Sequence, residues 1–413
     1  MKKLIGTVAV AALLATAAFA EGLSFGSWGR ALWIVESVKN DAGDNAVTSK
    51  LGQSWGGASP RTALAVSGSS DNMGFKLDLH GNGADGVTIG DNALIWTKPI
   101  EMLKVQFAAK DDTNLLRGDA CFGLWNFNRI GSVSVDGSEG FIFPAMLNKN
   151  VSVVVTPIEG LTVGYGFNVA LGDITPKADS DRFVDQIGRT SAFAAAYTIA
   201  NIGTVKVGFQ AQGKGYDKEG GFKADRKDKF EIDAAFELTM LEKVYLAIGT
   251  KIPMGGTFGK YDEKTYLVAN ESPVFVNLYA KLSLVENLAI NIIGGVKLNN
   301  KDVKGVSDNN FSDFKAAGQL GFRFGVEGEY SLSNGIGVFA QVEYANGVYM
   351  CSNSADNNDC LTFGLGATKG FSNGVIGVAF EGTTNGYGRY GSKVMAAKDD
   401  FHWEVPVKLE YWF

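Results

Sequence analysis

From Leu23 to Phe413 the chain repeats one pattern, short stretches of alternating apolar and polar side chains separated by polar segments. In an extended strand successive side chains point to opposite faces, so each stretch carries one apolar and one polar face. The last stretch is the clearest. Phe401, Trp403, Val405, Val407, Leu409, Tyr411 and Phe413 share one face, while His402, Glu404, Pro406, Lys408, Glu410 and Trp412 share the other. The same parity sets Met73, Phe75, Leu77 and Leu79 against Lys76, Asp78 and His80, and Phe230, Ile232, Ala234, Phe236 and Leu238 against Glu231, Asp233 and Glu237. It also sets Leu320, Phe322, Phe324 and Val326 against Arg323 and Glu327. The pattern predicts strands over 23–36, 61–68, 73–81, 87–97, 104–110, 150–156, 161–170, 191–199 and 204–212. It continues over 229–238, 243–252, 273–284, 288–298, 316–332, 335–345, 361–370, 375–382 and 401–413, eighteen strands in all.

The connections sort by length. After alternate strands they are brief and carry turn residues, as in Ser69-Ser70-Asp71-Asn72, Pro157-Ile158-Glu159-Gly160, Ala200-Asn201-Ile202-Gly203, Val285-Glu286-Asn287, Ser333-Asn334 and Ser372-Asn373-Gly374. Between these lie longer polar segments at 37–60, 111–149, 171–190, 213–228, 253–272, 299–315, 346–360 and 383–400, with 82–86 the brief exception. A soluble sandwich has no reason to segregate its loops by length. A membrane barrel does, with short turns at one rim and long loops at the other. The packed interior of a soluble protein would also have to partner every buried ion, whereas a water-filled lumen accepts them.

The N-terminus points to the same compartment. Met1-Lys2-Lys3 is a basic head, Leu4 to Ala17 an apolar run, and Ala18-Phe19-Ala20 a small-residue cleavage site, so residues 1–20 read as a secretory signal peptide. No later apolar run reaches the roughly 18 residues of a spanning helix. With 53 Gly, 8 Pro and 11% aromatics the composition suits curved strands and tight turns. The net charge is −6, and loss of Lys2 and Lys3 with the leader makes it −8. An acidic chain without a basic tract excludes nucleic acid as the expected partner. With no composition break to divide them, residues 21–413 are expected to form one transmembrane antiparallel all-β barrel of 16–18 strands.

On the leader, the strand ladder and the terminal Leu409-Glu410-Tyr411-Trp412-Phe413, the chain resembles a bacterial outer-membrane porin. The resemblance implies a channel in the cell outer membrane for passive diffusion of small hydrophilic solutes and ions. It implies outer-membrane lipid and the barrel-assembly machinery as partners, with Phe413 as the assembly signal, and a homotrimer as the assembly. Porins fold the loop after the fifth strand into the pore. Here that loop is 111–149, carrying Asp111, Asp112, Arg117, Asp119 and Arg129, with Phe122-Gly123-Leu124-Trp125 apolar enough to pack on an inner wall. A self-packed extracellular loop or an extra hairpin remains an alternative for it. The alternative function is a plugged barrel that acts as an adhesin or antigen through its extracellular loops. Arg117-Gly118-Asp119 spells a tripeptide that adhesion receptors read, but three-residue matches arise readily by chance.

Parity also assigns the pore lining. The strands up to residue 212 contribute Arg30, Arg61, Lys76, Lys104, Lys110 and Lys206, a basic wall, against Asp78. Those after 228 contribute Glu231, Asp233, Glu237, Glu327, Glu329, Glu343, Glu381, Glu404 and Glu410, an acidic wall interrupted by Lys251, Lys281, Lys297, Arg323 and Lys408. Opposed walls would impose a transverse field on passing solutes. Inward Tyr245, Phe275, Tyr279 and Phe339 could instead stack sugars, or simply pack. Cys351 and Cys360 bracket a short polar loop in an oxidising compartment and are expected to pair, leaving Cys121 over. No spacing of Cys and His suggests a metal site or a cofactor. No catalytic motif stands in the context it requires, so no enzyme is expected: Gly364 to Gly370 is glycine-rich but lies within a strand.

Overall fold

The computed structural model describes residues 22–39, 45–52, 60–82, 86–111, 149–169, 187–188, 190–214, 223–224, 228–255, 258–261, 264–267, 274–298, 304–307, 310–313, 320–350, 359–384 and 401–413. Its architecture is a closed antiparallel barrel of 18 strands. In chain order these are β1 (Leu23–Lys39), β2 (Arg61–Ser69), β3 (Met73–Asn82), β4 (Val87–Ile100), β5 (Leu103–Lys110), β6 (Val151–Ile158), β7 (Leu161–Phe167), β8 (Ala192–Ile199) and β9 (Gly203–Lys214). They continue as β10 (Asp228–Leu238), β11 (Val244–Gly255), β12 (Val274–Val285), β13 (Leu288–Leu298), β14 (Leu320–Ser331), β15 (Ile336–Ala345), β16 (Cys360–Phe371), β17 (Gly374–Thr384) and β18 (Phe401–Trp412). Each strand pairs with the next, and β18 returns to β1 with Trp28 opposite Trp412 and Glu36 opposite Glu404. The terminal residue completes the closure. Phe413 donates its N–H to the Ser27 carbonyl at 2.7 Å and accepts from the Ser27 N–H at 3.0 Å.

All eighteen strands expected from the alternation are present. For β14, expected from 316, residues 316–319 lie outside the described residues and the described strand runs Leu320–Ser331. The long connections hold more strand than the sequence suggests. Asn45–Gly52 pairs with the outer half of β1, Leu32 facing Gly52, while Arg30 faces Arg61 of β2. Two separate segments thus fill the second barrel position. Alternation does not reveal the first, because Asn45, Thr48, Ser49 and Lys50 dilute it, although Val47 and Leu51 both stand exposed on the outward side. Short pairs Phe258–Tyr261 with Lys264–Leu267, and Lys304–Ser307 with Asn310–Asp313, add hairpins to two further connections read as polar loops.

The brief turns collect at the rim that also holds Gly22 and Phe413. There Asn201, Lys243 and Asn287 adopt positive φ (60°, 64° and 61°), as do Gly160 and Gly335. Asn and Gly suit this left-handed geometry, whereas Lys243 adopts it against its preference.

Burial follows the predicted parity. Along β18 every even position from His402 to Glu410 is buried, and along β14 Gly321, Arg323, Gly325 and Glu327 are buried while Leu320, Phe322 and Phe324 are exposed. The outward surface is a continuous apolar band with Trp33, Phe107, Ile248, Leu365, Val378 and Leu409 each 43–63% exposed. So large an apolar surface is incompatible with water and matches the lipid-facing belt of a membrane barrel. No helix among the described residues is long and apolar enough to cross a membrane.

Candidate pore wall

The inward face is ionic, and strand pairing decides which ions meet. At the closing seam Arg30 lies opposite Glu410, its Nε 3.6 Å from the carboxylate, and stacks over Trp28 at 5.1 Å. Arg61 is the cross-strand neighbour of Arg30 on the other side. Lys408, only 1% exposed, reaches Glu410 at 3.1 Å. Half the barrel away, Lys206 of β9 meets Glu237 of β10 at 2.9 Å, and Lys251 of β11 meets Glu231 at 3.2 Å with Asp233 directly across from it in register. Arg323 of β14 approaches Glu343 of β15 at 3.6 Å.

The two walls expected from the sequence are therefore brought into contact at the seams. Closure sets basic β1 beside acidic β18, and chain order sets β9 beside β10. The basic half also holds its own acids. Lys76 lies 3.8 Å from Asp78, which accepts from Asn92 at 2.5 Å, and His80 lies 3.6 Å from Asp91. Lys104 sits over the Trp96 ring at 5.6 Å, while Lys110 is exposed. Glu329 is half-buried opposite Phe339. Glu327 accepts from Asn291 at 2.7 Å, which accepts in turn from the Tyr279 hydroxyl at 3.1 Å.

Near the long-loop rim three glutamates stand abreast. Glu404 of β18 faces Glu36 of β1 on one side and Glu381 of β17 on the other, all at 3% exposure or less. Like charges directly opposite are destabilising. Lys50 relieves the set at 2.8 Å from Glu36, and His402 brings Nε2 to 3.8 Å from the other Glu36 oxygen. Ligand atoms of Glu36, His402 and Glu404 all lie within 4.8 Å of one another, a donor set with the chemistry of a divalent-cation ligand group. No spacing announces it, because Glu36 and His402 stand at opposite ends of the chain and meet only on closure.

Of the expected constriction loop only its ends are described. Asp111 is buried and accepts from Gln106 at 2.6 Å. At the far end, burial pushes the Lys149 ammonium below its ordinary pKa. Asp112, Arg117, Asp119 and Arg129 lie outside the described residues, as does Cys351. Cys360 is buried with its sulfur 3.2 Å from the Thr383 hydroxyl. Of the inward aromatics Phe275, Tyr279 and Phe339 are packed at 2–4% exposed, while Tyr245 is half-buried with its ring 5.6 Å from that of Tyr279. A Cβ on Gly366 would come within 2.6 Å of the Phe339 ring.

No family model matches the chain, and no curated protein does either. Solved structures do. The anion-selective porin from Comamonas acidovorans aligns over 95% of this chain and 100% of its own, at TM-score 0.52 and 11% identity. OpdQ from Pseudomonas aeruginosa aligns over 95% and 98%, at TM-score 0.52 and 9% identity. At such identities the likeness is one of fold, and the fold is that of bacterial porins.

Proposed function

We propose that the protein is an outer-membrane porin, a channel for passive diffusion of small hydrophilic solutes and ions. The observation that carries this reading is the opposite solvation of the two barrel faces, apolar and exposed outside, ionic inside. Barrels of about 16–18 strands leave room for an aqueous channel. Outer-membrane lipid would meet the outward band. Residues 1–20 would direct export, the barrel-assembly machinery would read Phe413, and a homotrimer would be the natural assembly by analogy. The Comamonas protein is described as anion-selective. That preference is not carried over, because both signs alternate along this wall.

Purified protein in liposomes should make them swell in small sugars and amino acids, faster for smaller solutes. Swelling no faster than protein-free vesicles would refute passive diffusion. One observation favours the plugged-barrel alternative: Glu327 and Glu404 are 0% exposed and Lys408 1%, so parts of the inner wall are covered. A plugged surface protein acting through its loops would show no swelling at any solute size.

A further inference from the structure

The connection leaving β15 turns inward at once. Asn346 donates its backbone N–H to the Phe322 carbonyl at 3.0 Å and its side-chain amide to the Leu320 carbonyl at 3.2 Å. Its side-chain oxygen accepts from the N–H of Phe322 at 3.0 Å and of Tyr349 at 2.9 Å. This is the capping geometry that starts a helix, and a single turn, Gly347–Met350, follows. Asp359, the residue before β16, ties the far end of the connection to its beginning. One of its oxygens accepts from the Gly347 N–H at 2.8 Å and the other from the Tyr344 hydroxyl at 2.5 Å.

The turn seats Tyr349, 0% exposed, on the inner wall. The Phe275 ring of β12 meets it edge-on at 6.2 Å, the Arg323 guanidinium of β14 stacks over it at 5.1 Å, and Lys297 of β13 donates to its carbonyl at 3.2 Å. The wall beneath is cleared for it. A Cβ on Gly321 would lie 2.7 Å from the Tyr349 backbone, and one on Gly295 3.1 Å from its hydroxyl. In register, Gly295 faces Arg323 and Lys297 faces Gly321. Each of these two cross-strand pairs thus sets one cation beside one empty position, a socket for an aromatic ring and the backbone that carries it.

We propose that the turn Gly347–Met350 is a fixed constriction of the pore, held on the β12–β14 wall by Tyr349, and that it sets the size limit for solutes. Tyr349 acts as a positioning residue: it is buried and touches no solute. The proposal rests on the channel reading above.

Two variants release the turn by different routes. Tyr349→Ala removes the anchor, and Gly321→Val fills the socket while leaving the tyrosine in place. Each should raise single-channel conductance about twofold, as expected for a wider lumen, and each should admit larger sugars in liposome swelling. A third variant leaves the anchor and socket intact. Val348→Cys, treated with a bulky methanethiosulfonate, should lose conductance relative to wild type treated in the same way.

Heat-modifiable Tyr349→Ala and Gly321→Val barrels that conduct as wild type does would overturn the proposal while leaving the channel reading standing. If those two variants do not fold, an unresponsive Val348→Cys channel overturns it equally. A silent wild type would refute the channel reading and, with it, a constriction that sets a size limit, whether or not the variants conduct.

Discussion

Val378→Arg should destabilise the barrel by about 2–4 kcal/mol in a lipid bilayer, the cost of an arginine near the midplane on a lipid-facing strand. Val378 lies at the middle of β17, between Ala367 of β16 and Val407 of β18, and is 48% exposed on the outward face. If that face met water, an exposed valine could become arginine within about 0.5 kcal/mol. Urea unfolding of the wild type and the variant in phosphatidylcholine vesicles measures the difference. An unshifted midpoint would mean that this surface does not face lipid.

Lys206→Met is expected to cost about 3–5 kcal/mol, the penalty for breaking a buried pair and stranding its partner. Lys206 and Glu237 meet at 2.9 Å with side chains only 7% and 12% exposed. The double variant Lys206→Met/Glu237→Leu should recover most of the loss, because it removes the stranded charge along with the pair. Water at this seam would reduce the single-variant cost to about 0–1 kcal/mol. A loss that small, measured by the same unfolding experiment, would show that the inner wall is wet between β9 and β10.

How much of this was legible in the sequence follows from which interactions are local. Alternation is local, so it located eighteen strands, though not Asn45–Gly52, and it placed His402, Glu404, Lys408 and Glu410 on the buried face of β18. Turn chemistry is local too, and Asn201, Asn287, Gly160 and Asn334 marked the tight rim. Closure is not local. It joins Arg30 to Glu410 and Glu36 to Glu404 and His402, pairs separated by nearly the whole chain. Counting charges by strand could therefore suggest two walls, but it could not show that their edges touch.

Asn45–Gly52 was obscured because polar residues occupy both of its faces. The Tyr349 socket left a fainter trace. Glycines at inward positions of β13 and β14, each opposite a cation, mark a place where something must lie close to the wall. Asn346 before Gly347 supplies the cap that would bring it there. That signal becomes readable only with the register of the two strands in hand.

The channel claim is tested most directly by single-channel recording. Purified, heat-modifiable wild-type protein added to a planar lipid bilayer in potassium chloride should insert in discrete steps of stable, ohmic current. Heat-modifiable barrels that insert without any conductance step would contradict the account.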